Sequence, residues 1–418
     1  MQRADFLIEH ATVVATCAGP APRRGIAQRE ISALGDAVVA SREGVIVYAG
    51  PRAALARSIE VRHGATRIDA RGCTVVPGFV DPHTHVCFAG DRRDELRRRL
   101  AGATYEQIAA AGGGIVRTVE ATRAASEDDL VESTRARLDE MLACGTTTAE
   151  AKSGYGLTTE SELRQLRALR RLDGEHAIDL VRTFMGAHEI PVDYRSRRQE
   201  YLSLVIDDML PRVAEEGLAE WCDVFCEEGV FTPEESAAVL TAGRRVGLGP
   251  RIHADEFASS GGSLVAATVG ARSADHLLFV DERGMAALLS ANVCATLLPI
   301  AAFYLGLGRY APARALIDAG VPVALASDVN PGAGYSPSMP FAMTLACFAM
   351  KMTLEEALIA ATLNAAWSIG RDGSVGSLEP GKLMDAVVVE GDLADVLRVG
   401  ASTVRMVIKR GKVVTWAS

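Results

Sequence analysis

Val75-Val76-Pro77-Gly78-Phe79-Val80-Asp81-Pro82-His83-Thr84-His85 is an apolar run that stops on two histidines. Read as a strand, it points residues two apart to the same side, so both imidazoles face one space, as a single metal ion requires. The same shape returns through the middle of the chain. Short apolar runs end near Lys152, His188, Glu227, His253, His276, Leu298 and Asp328, which with His85 makes eight. Between them lie stretches such as Glu127 to Ala143 and Glu160 to Leu172, with apolar residues at helical spacing among charges. Eight strands, each followed by a helix, predict a closed parallel (β/α)8 TIM barrel. In barrels the C-terminal strand ends carry the active site. Of the six histidines in this region, His83, His85, His188, His253 and His276 fall at expected strand ends, and only His176 does not. The alternative is an open doubly wound sheet. Its dinucleotide-binding form wants Gly-x-Gly-x-x-Gly after the first strand, and none is there. Gly112-Gly113-Gly114 follows no strand and reads as a flexible loop.

Outward from the barrel, both chain ends read as strands and turns. Ala37-Val38-Val39-Ala40, Val45-Ile46-Val47-Tyr48-Ala49 and Thr74-Val75-Val76 are β-runs separated by glycine and charge. Ala386-Val387-Val388-Val389 and Val404 to Ile408 repeat the pattern, and Arg410-Gly411-Lys412 before Val413-Val414 signals a hairpin. The expectation is a second, small β-sandwich domain built from both termini, residues 1–75 and 375–418, around a barrel of residues 76–374.

The 418 residues suit a large barrel with a small companion. Basic residues number 44 against 53 acidic, a formal charge of −9, so no strong positive field draws nucleic acid or an anionic membrane. The run Arg92-Arg93-Asp94-Glu95-Leu96-Arg97-Arg98-Arg99 alternates in sign and reads as a solvated helix face. Eight scattered cysteines, mostly in apolar runs, read as buried thiols; Cys222 and Cys226 lack the second pair a zinc site needs. Met1 to Ala15 carries Asp5, Glu9 and His10 and is no secretory signal, while Val293 to Gly308 is broken by Pro299 and too short for a membrane span. The cytoplasm is the expected location, and a homodimer the expected assembly.

Three elements carry chemistry. His83 and His85 offer two nitrogens; His253, in Ile252-His253-Ala254-Asp255-Glu256, offers a third; and Val321-Pro322-Val323-Ala324-Leu325-Ala326-Ser327-Asp328 ends an apolar run on a carboxylate. Taken singly, His253 also reads as a satisfied core histidine and Asp328 as a helix N-cap. Taken together they fit one catalytic site with a position left for water. Imidazole and carboxylate without thiolate suit one Zn2+ or iron (Fe2+ or Fe3+) per subunit. A bound cation can lower the pKa of its water from roughly 15.7 to about 7 and so provide a nucleophile at neutral pH. Asp328 can take the water's proton, Glu256 lies close enough to act on substrate, and His276, closing Ser273-Ala274-Asp275-His276, can orient or polarise.

These motifs resemble the amidohydrolase superfamily, and within it the imidazolonepropionases, over nearly the whole chain. The first and last segments, Pro77 to His85 and Asp328-Val329-Asn330-Pro331-Gly332, are shared by many amidohydrolases. Lys152-Ser153-Gly154-Tyr155-Gly156-Leu157 and His253-Ala254-Asp255-Glu256-Phe257 belong more narrowly to the subgroup, with Gly186-Ala187-His188 and Ser273 to His276 beside them. The resemblance implies that His83, His85, His253 and Asp328 hold the metal. It implies further that Arg92, Tyr155, His188, Glu256, Asn330 and Gly332 line the substrate pocket, with Ala333 next to them, and that His276 assists. The implied reaction is the third step of histidine breakdown: water attacks the ring carbonyl of 4-imidazolone-5-propanoate and N-formimidoyl-L-glutamate leaves.

The physical roles agree with that assignment. Arginine grips a carboxylate in a forked manner, and Arg92, seven residues beyond His85, can reach over the mouth to the propionate tail. Tyr155 and His188 can bond tail or ring, and Glu256 can shuttle a proton to the leaving nitrogen. The chain departs from the family pattern at Ala333, where a small hydroxyl residue is usual, and at Pro299-Ile300-Ala301-Ala302-Phe303, where a Gly-Thr/Ser-rich turn is usual. Three other readings are weighed. An aminohydrolase of a nucleobase-like ring shares the His-x-His, His-x-x-Glu and late Asp, but has no use for Arg92 with Tyr155. A non-catalytic scaffold typically loses metal ligands. A two-metal site would carboxylate Lys152.

Overall fold

Val387-Val388-Val389 is apolar at every position, so a strand there must bury both faces. The computed structural model, which describes residues 2–103, 107 and 113–416, shows how. A six-stranded sheet is built in the order Lys412–Trp416, Val404–Lys409, Ala386–Glu390, Cys73–Pro77, Val13–Ala15 and Ala33–Leu34. Val75, Val388, Met406 and Ile408 face Phe6, Ile8 and Val39 of a four-stranded sheet, while their neighbours Val76, Val387, Val389 and Val407 face the barrel core. The two sheets form the expected sandwich, and its inner sheet also packs on the barrel. The hairpin is where the sequence put it: Lys409 pairs with Lys412, and Arg410 and Gly411 both have positive φ, 46° and 67°.

The barrel strands are Phe79–Asp81, Thr146–Lys152, Asp179–Ala187, Trp221–Cys226, Gly249–Ala254, Ser273–His276, Cys294–Leu297 and Val323–Leu325, paired in sequence order and all parallel. The expected helices are present as Glu127–Ala143, opened by a Ser126–Asp129 capping box, and Thr159–Glu175. The Pro299–Phe303 segment lies in the helix Pro299–Leu305. All eight cysteines are free thiols. Among the described residues no helix is long and apolar enough to cross a membrane.

Two strand ends differ from expectation. The first barrel strand stops at Asp81, not near His85, because Pro82 has no N–H for the ladder. The eighth stops at Leu325, three residues before Asp328, whose φ of 55° turns the chain out of the sheet. These two released segments close the barrel against each other: Asp328 N–H donates to His83 O (3.1 Å) and His85 N–H to Val329 O (2.9 Å). The alternation inferred for a strand holds without one, because Thr84 turns the other way and bonds Glu150 through its N–H (3.1 Å) and its hydroxyl (2.7 Å). Of the glycine stretch, Gly112 lies outside the described residues; Gly114, at φ 79°, leads into the helix Ile115–Ala124.

Candidate active site

Both histidines of His83-Thr84-His85 are buried at the barrel mouth with His253 and Asp328. His85 Nε2 lies 3.1 Å from His253 Nε2, and Asp328 Oδ1 lies 3.7 Å from His83 Nε2 and 3.9 Å from His85 Nε2. His83 Nε2 and Asp328 Oδ1 are buried and make no hydrogen bond among the described residues. Leaving such atoms unpaired is costly unless something else satisfies them. Ligand atoms about 2.0–2.1 Å from one tetrahedral ion sit roughly 3.2–3.4 Å apart, so these spacings fit a metal. His83, His85 and Asp328 form one such cluster, and His276 joins His83 and His253 in a second.

Behind the imidazoles stand two buried chains of charge. His83 Nδ1 is 2.6 Å from Asp275 Oδ2, and that carboxylate is 3.2 Å from Arg251 Nη2. His253 Nδ1 is 3.1 Å from Asp223 Oδ1, and Asp223 Oδ2 is 2.9 Å from Lys152 Nζ, within ion-pair range though poorly aligned for a hydrogen bond. A carboxylate on Nδ1 fixes the tautomer that leaves Nε2 bare. Burial lowers the pKa of His83 and His85 well below the usual value, so both are neutral, as metal ligation needs. Burial also opposes charge on Lys152, but Asp223 and Glu150, the latter at 2.7 Å, outweigh it and raise its pKa. Lys152 is thus engaged by two carboxylates as an ion-pair partner, an arrangement that does not call for the carboxylated lysine of the two-metal reading.

The remaining expected residues converge on the same place. Arg92, Tyr155, His188, Glu256, His276, Asn330, Gly332 and Ala333 line one cavity of about 140 Å3 with His85, His253 and Asp328; His83 is fully buried beside His253, with ring centroids 4.4 Å apart. Arg92 is set apart from its basic run. Arg93, Arg97 and Arg98 are exposed, whereas Arg92 is 13% exposed and its Nε donates to Glu95 Oε2 at 2.8 Å. Its guanidinium lies so close to Gly332 that a Cβ there would come within 2.6 Å of Nη1. Asn330 is occupied locally: Oδ1 accepts from the N–H of Gly332 (2.8 Å) and Ala333 (2.7 Å), and Nδ2 donates to Asp328 O (2.8 Å). His188 Nδ1 donates to Gly154 O (2.9 Å), and its ring stacks on His85 at 4.7 Å. Burial pushes His188 down to about 3 and Asp328 up to about 8, and holds Glu256 well above the carboxylate range. His276 Nδ1 is 3.4 Å from Glu256 Oε1, and His276 adopts φ 77°, a conformation a β-strand end reaches only under constraint.

The sequence reading missed Glu189, Ile115, Phe225, Phe257 and Leu305 in the lining, and the roles of Asp223, Asp275 and Arg251 behind it. Asp275 stood in a quoted segment, and an acid inside a buried strand was the available signal. Of the helix Pro299–Leu305, Leu305 reaches the cavity, and Ala301 packs near Ala333.

A model of the amidohydrolase family matches residues 66–114 and 96–415. The chain belongs to the amidohydrolase family. Within it the branch is that of the imidazolonepropionases. The chain is 48% identical to the imidazolonepropionase of Symbiobacterium thermophilum over 99% of its own length and 98% of that protein's. It is 50% identical to the one from Geobacillus kaustophilus over 89% and 88%. Solved amidohydrolase-like structures share the fold at low identity. One is an adenosine deaminase from Xanthomonas campestris with bound zinc, at TM-score 0.72 and 20% identity over 99% of this chain and 93% of that one. Another is the 5-methylcytosine deaminase of Klebsiella pneumoniae, at 0.74 and 17% over 99% and 98%.

Proposed function

We propose that this amidohydrolase opens the ring of 4-imidazolone-5-propanoate with water, giving N-formimidoyl-L-glutamate, the reaction implied by the name its relatives carry. The observation that carries the reading is a metal-type donor set and a shielded guanidinium, Arg92, on the walls of one small cavity. His83, His85, His253 and Asp328 would hold one ion, Zn2+ or iron. Such an ion supplies Lewis acidity, acidifying a water and polarising a carbonyl. Asp328, with Oδ1 in the ligand set, takes the attacking water's proton on Oδ2. Arg92 grips the propionate tail by its Nη edge, since Nε is committed to Glu95. His188, with Nδ1–H committed to Gly154, offers Nε2 to the substrate, and Tyr155 offers its hydroxyl. His276 steadies the oxyanion as the carbonyl carbon becomes tetrahedral. Glu256, protonated by its burial, donates to the leaving ring nitrogen as the C–N bond breaks. Asn330 shapes the turn that sets Gly332 and Ala333 against the pocket.

The eight free thiols favour a cytoplasmic location. Homodimer remains the proposed assembly, with a small-molecule substrate and neither nucleic acid nor membrane as partner. Product analysis with imidazolone propionate beside guanine and adenine tests the function. Release of N-formimidoyl-L-glutamate, with both bases untouched, is the expected result. Deamination of either base would restore the nucleobase reading, and no turnover of any would leave the scaffold reading.

A further inference from the structure

In Lys152-Ser153-Gly154-Tyr155-Gly156-Leu157, which leaves the second barrel strand as a loop, the amides of residues 154–157 all donate to side chains of one helix, Thr159–Glu175. The N–H of Gly154 donates to Glu162 Oε2 at 2.9 Å, and those of Gly156 and Leu157 donate to Oε1 at 2.8 and 2.7 Å. The N–H of Tyr155 donates to Gln165 Oε1 at 3.2 Å. Glu162 is fully buried and has no cationic partner among the described residues. Its carboxylate is held by amide dipoles in a nest of the kind that binds anions. The wrap explains both glycines. Gly154 sits at φ 109°, and a Cβ on Gly156 would meet the backbone of Ser161 and Glu162 at 2.6 Å.

The loop carries two of the groups assigned to substrate. Tyr155 projects into the cavity from its centre, and His188 is anchored to the carbonyl of Gly154. Among the described residues no hydrogen bond joins residues 154–157 to His83, His85, His253 or Asp328. We infer that Glu162 is a positioning residue for substrate binding: its carboxylate sets the loop that places Tyr155 and His188 together, with no hydrogen bond from that loop to the metal ligands. The proposal rests on the substrate reading given above.

Glu162→Gln tests it. The amide keeps the size but turns an N–H2 toward amide donors, so at least one loop bond is lost. KM for imidazolone propionate should rise about tenfold while kcat stays within about threefold, the pattern of lost uniform binding. Metal content should not change. A residue that served folding alone would lower the active fraction, so kcat would fall at unchanged KM, and that result overturns the proposal. Glu162→Asp, which keeps the charge, should fall between wild type and Glu162→Gln. If only Glu162→Asp folds, a raised KM at near-normal kcat supports the proposal and an unchanged KM refutes it. Failure of both variants to fold makes Glu162 a folding residue and refutes it too. Hydrogen exchange separates this proposal from the substrate reading: the amides of residues 154–157 should be protected in the wild type and exchange faster in Glu162→Gln, whatever the substrate. Unchanged protection would overturn the proposal even if turnover fell.

Discussion

Replacing Arg92 by alanine should weaken the tailed substrate and spare a ring that lacks the tail. The side chain is 13% exposed and held by Glu95 at 2.8 Å, so it meets a carboxylate with little solvent screening and little freedom to lose. A charge-assisted hydrogen bond in such a place contributes roughly 1.5–3 kcal/mol, which is about ten- to a hundredfold in kcat/KM. The variant also has an unwanted effect. Among the described residues Glu95 would keep only the N–H of Gly114, at 2.9 Å, and the turn leading to Ile115, which lines the cavity, would loosen. That loss would strike both compounds alike. The assay is therefore kcat/KM for imidazolone propionate and for 4-imidazolone without the propionate, in wild type, Arg92→Ala and Arg93→Ala. Arg93 is exposed and serves as control. A loss of the stated size on the tailed compound alone is expected. An equal loss on both would make Arg92 structural, and no loss on either would return it to the solvated face of its helix.

Asp328→Asn should bind substrate but lose most of its turnover, since an amide cannot accept the water's proton; kcat within a few-fold of wild type at matched metal content would remove Asp328 as the base. Asp223→Asn should weaken metal binding about ten- to a hundredfold, because the amide no longer fixes the His253 tautomer with its charge; competition with a chromophoric chelator measures it. Ala333→Ser restores a hydroxyl at the cavity wall and should lower KM about threefold, one ordinary hydrogen bond; steady-state kinetics showing a higher KM would mean that the position excludes rather than binds.

The barrel was legible because its signal is local: an apolar run, a polar end, a helix, repeated. That His83, His85, His253 and Asp328 would meet at the mouth was legible for the same reason, since each lies at or just beyond the end of such a run. Where the strands stop was harder to read. Pro82 and the left-handed Asp328 move the ligands beyond the ladder, and only the contact between residues 83–85 and 328–329 shows that the barrel closes there. Arg251 and Lys152 were beyond reach as supports, because their partners Asp275 and Asp223 lie 24 and 71 positions away and no local pattern pairs them. Arg92 illustrates the opposite limit. Its surroundings in sequence are those of a solvated face, and only the fold turns it inward while Arg93 stays in water. Glu162 stands in the first turn of its helix, where acids are common, and no local pattern marks the loop that wraps on it.

The central claim, that one ion on His83, His85, His253 and Asp328 drives hydrolysis of imidazolone propionate, is tested most directly by titrating metal into chelated protein. Formation of N-formimidoyl-L-glutamate is followed at each addition, with circular dichroism confirming that the fold persists throughout. The account predicts no turnover without metal, a linear rise with added Zn2+ or Fe2+, and a plateau at about one equivalent per chain. Full activity in the metal-free protein, or a plateau only at two equivalents, would contradict it.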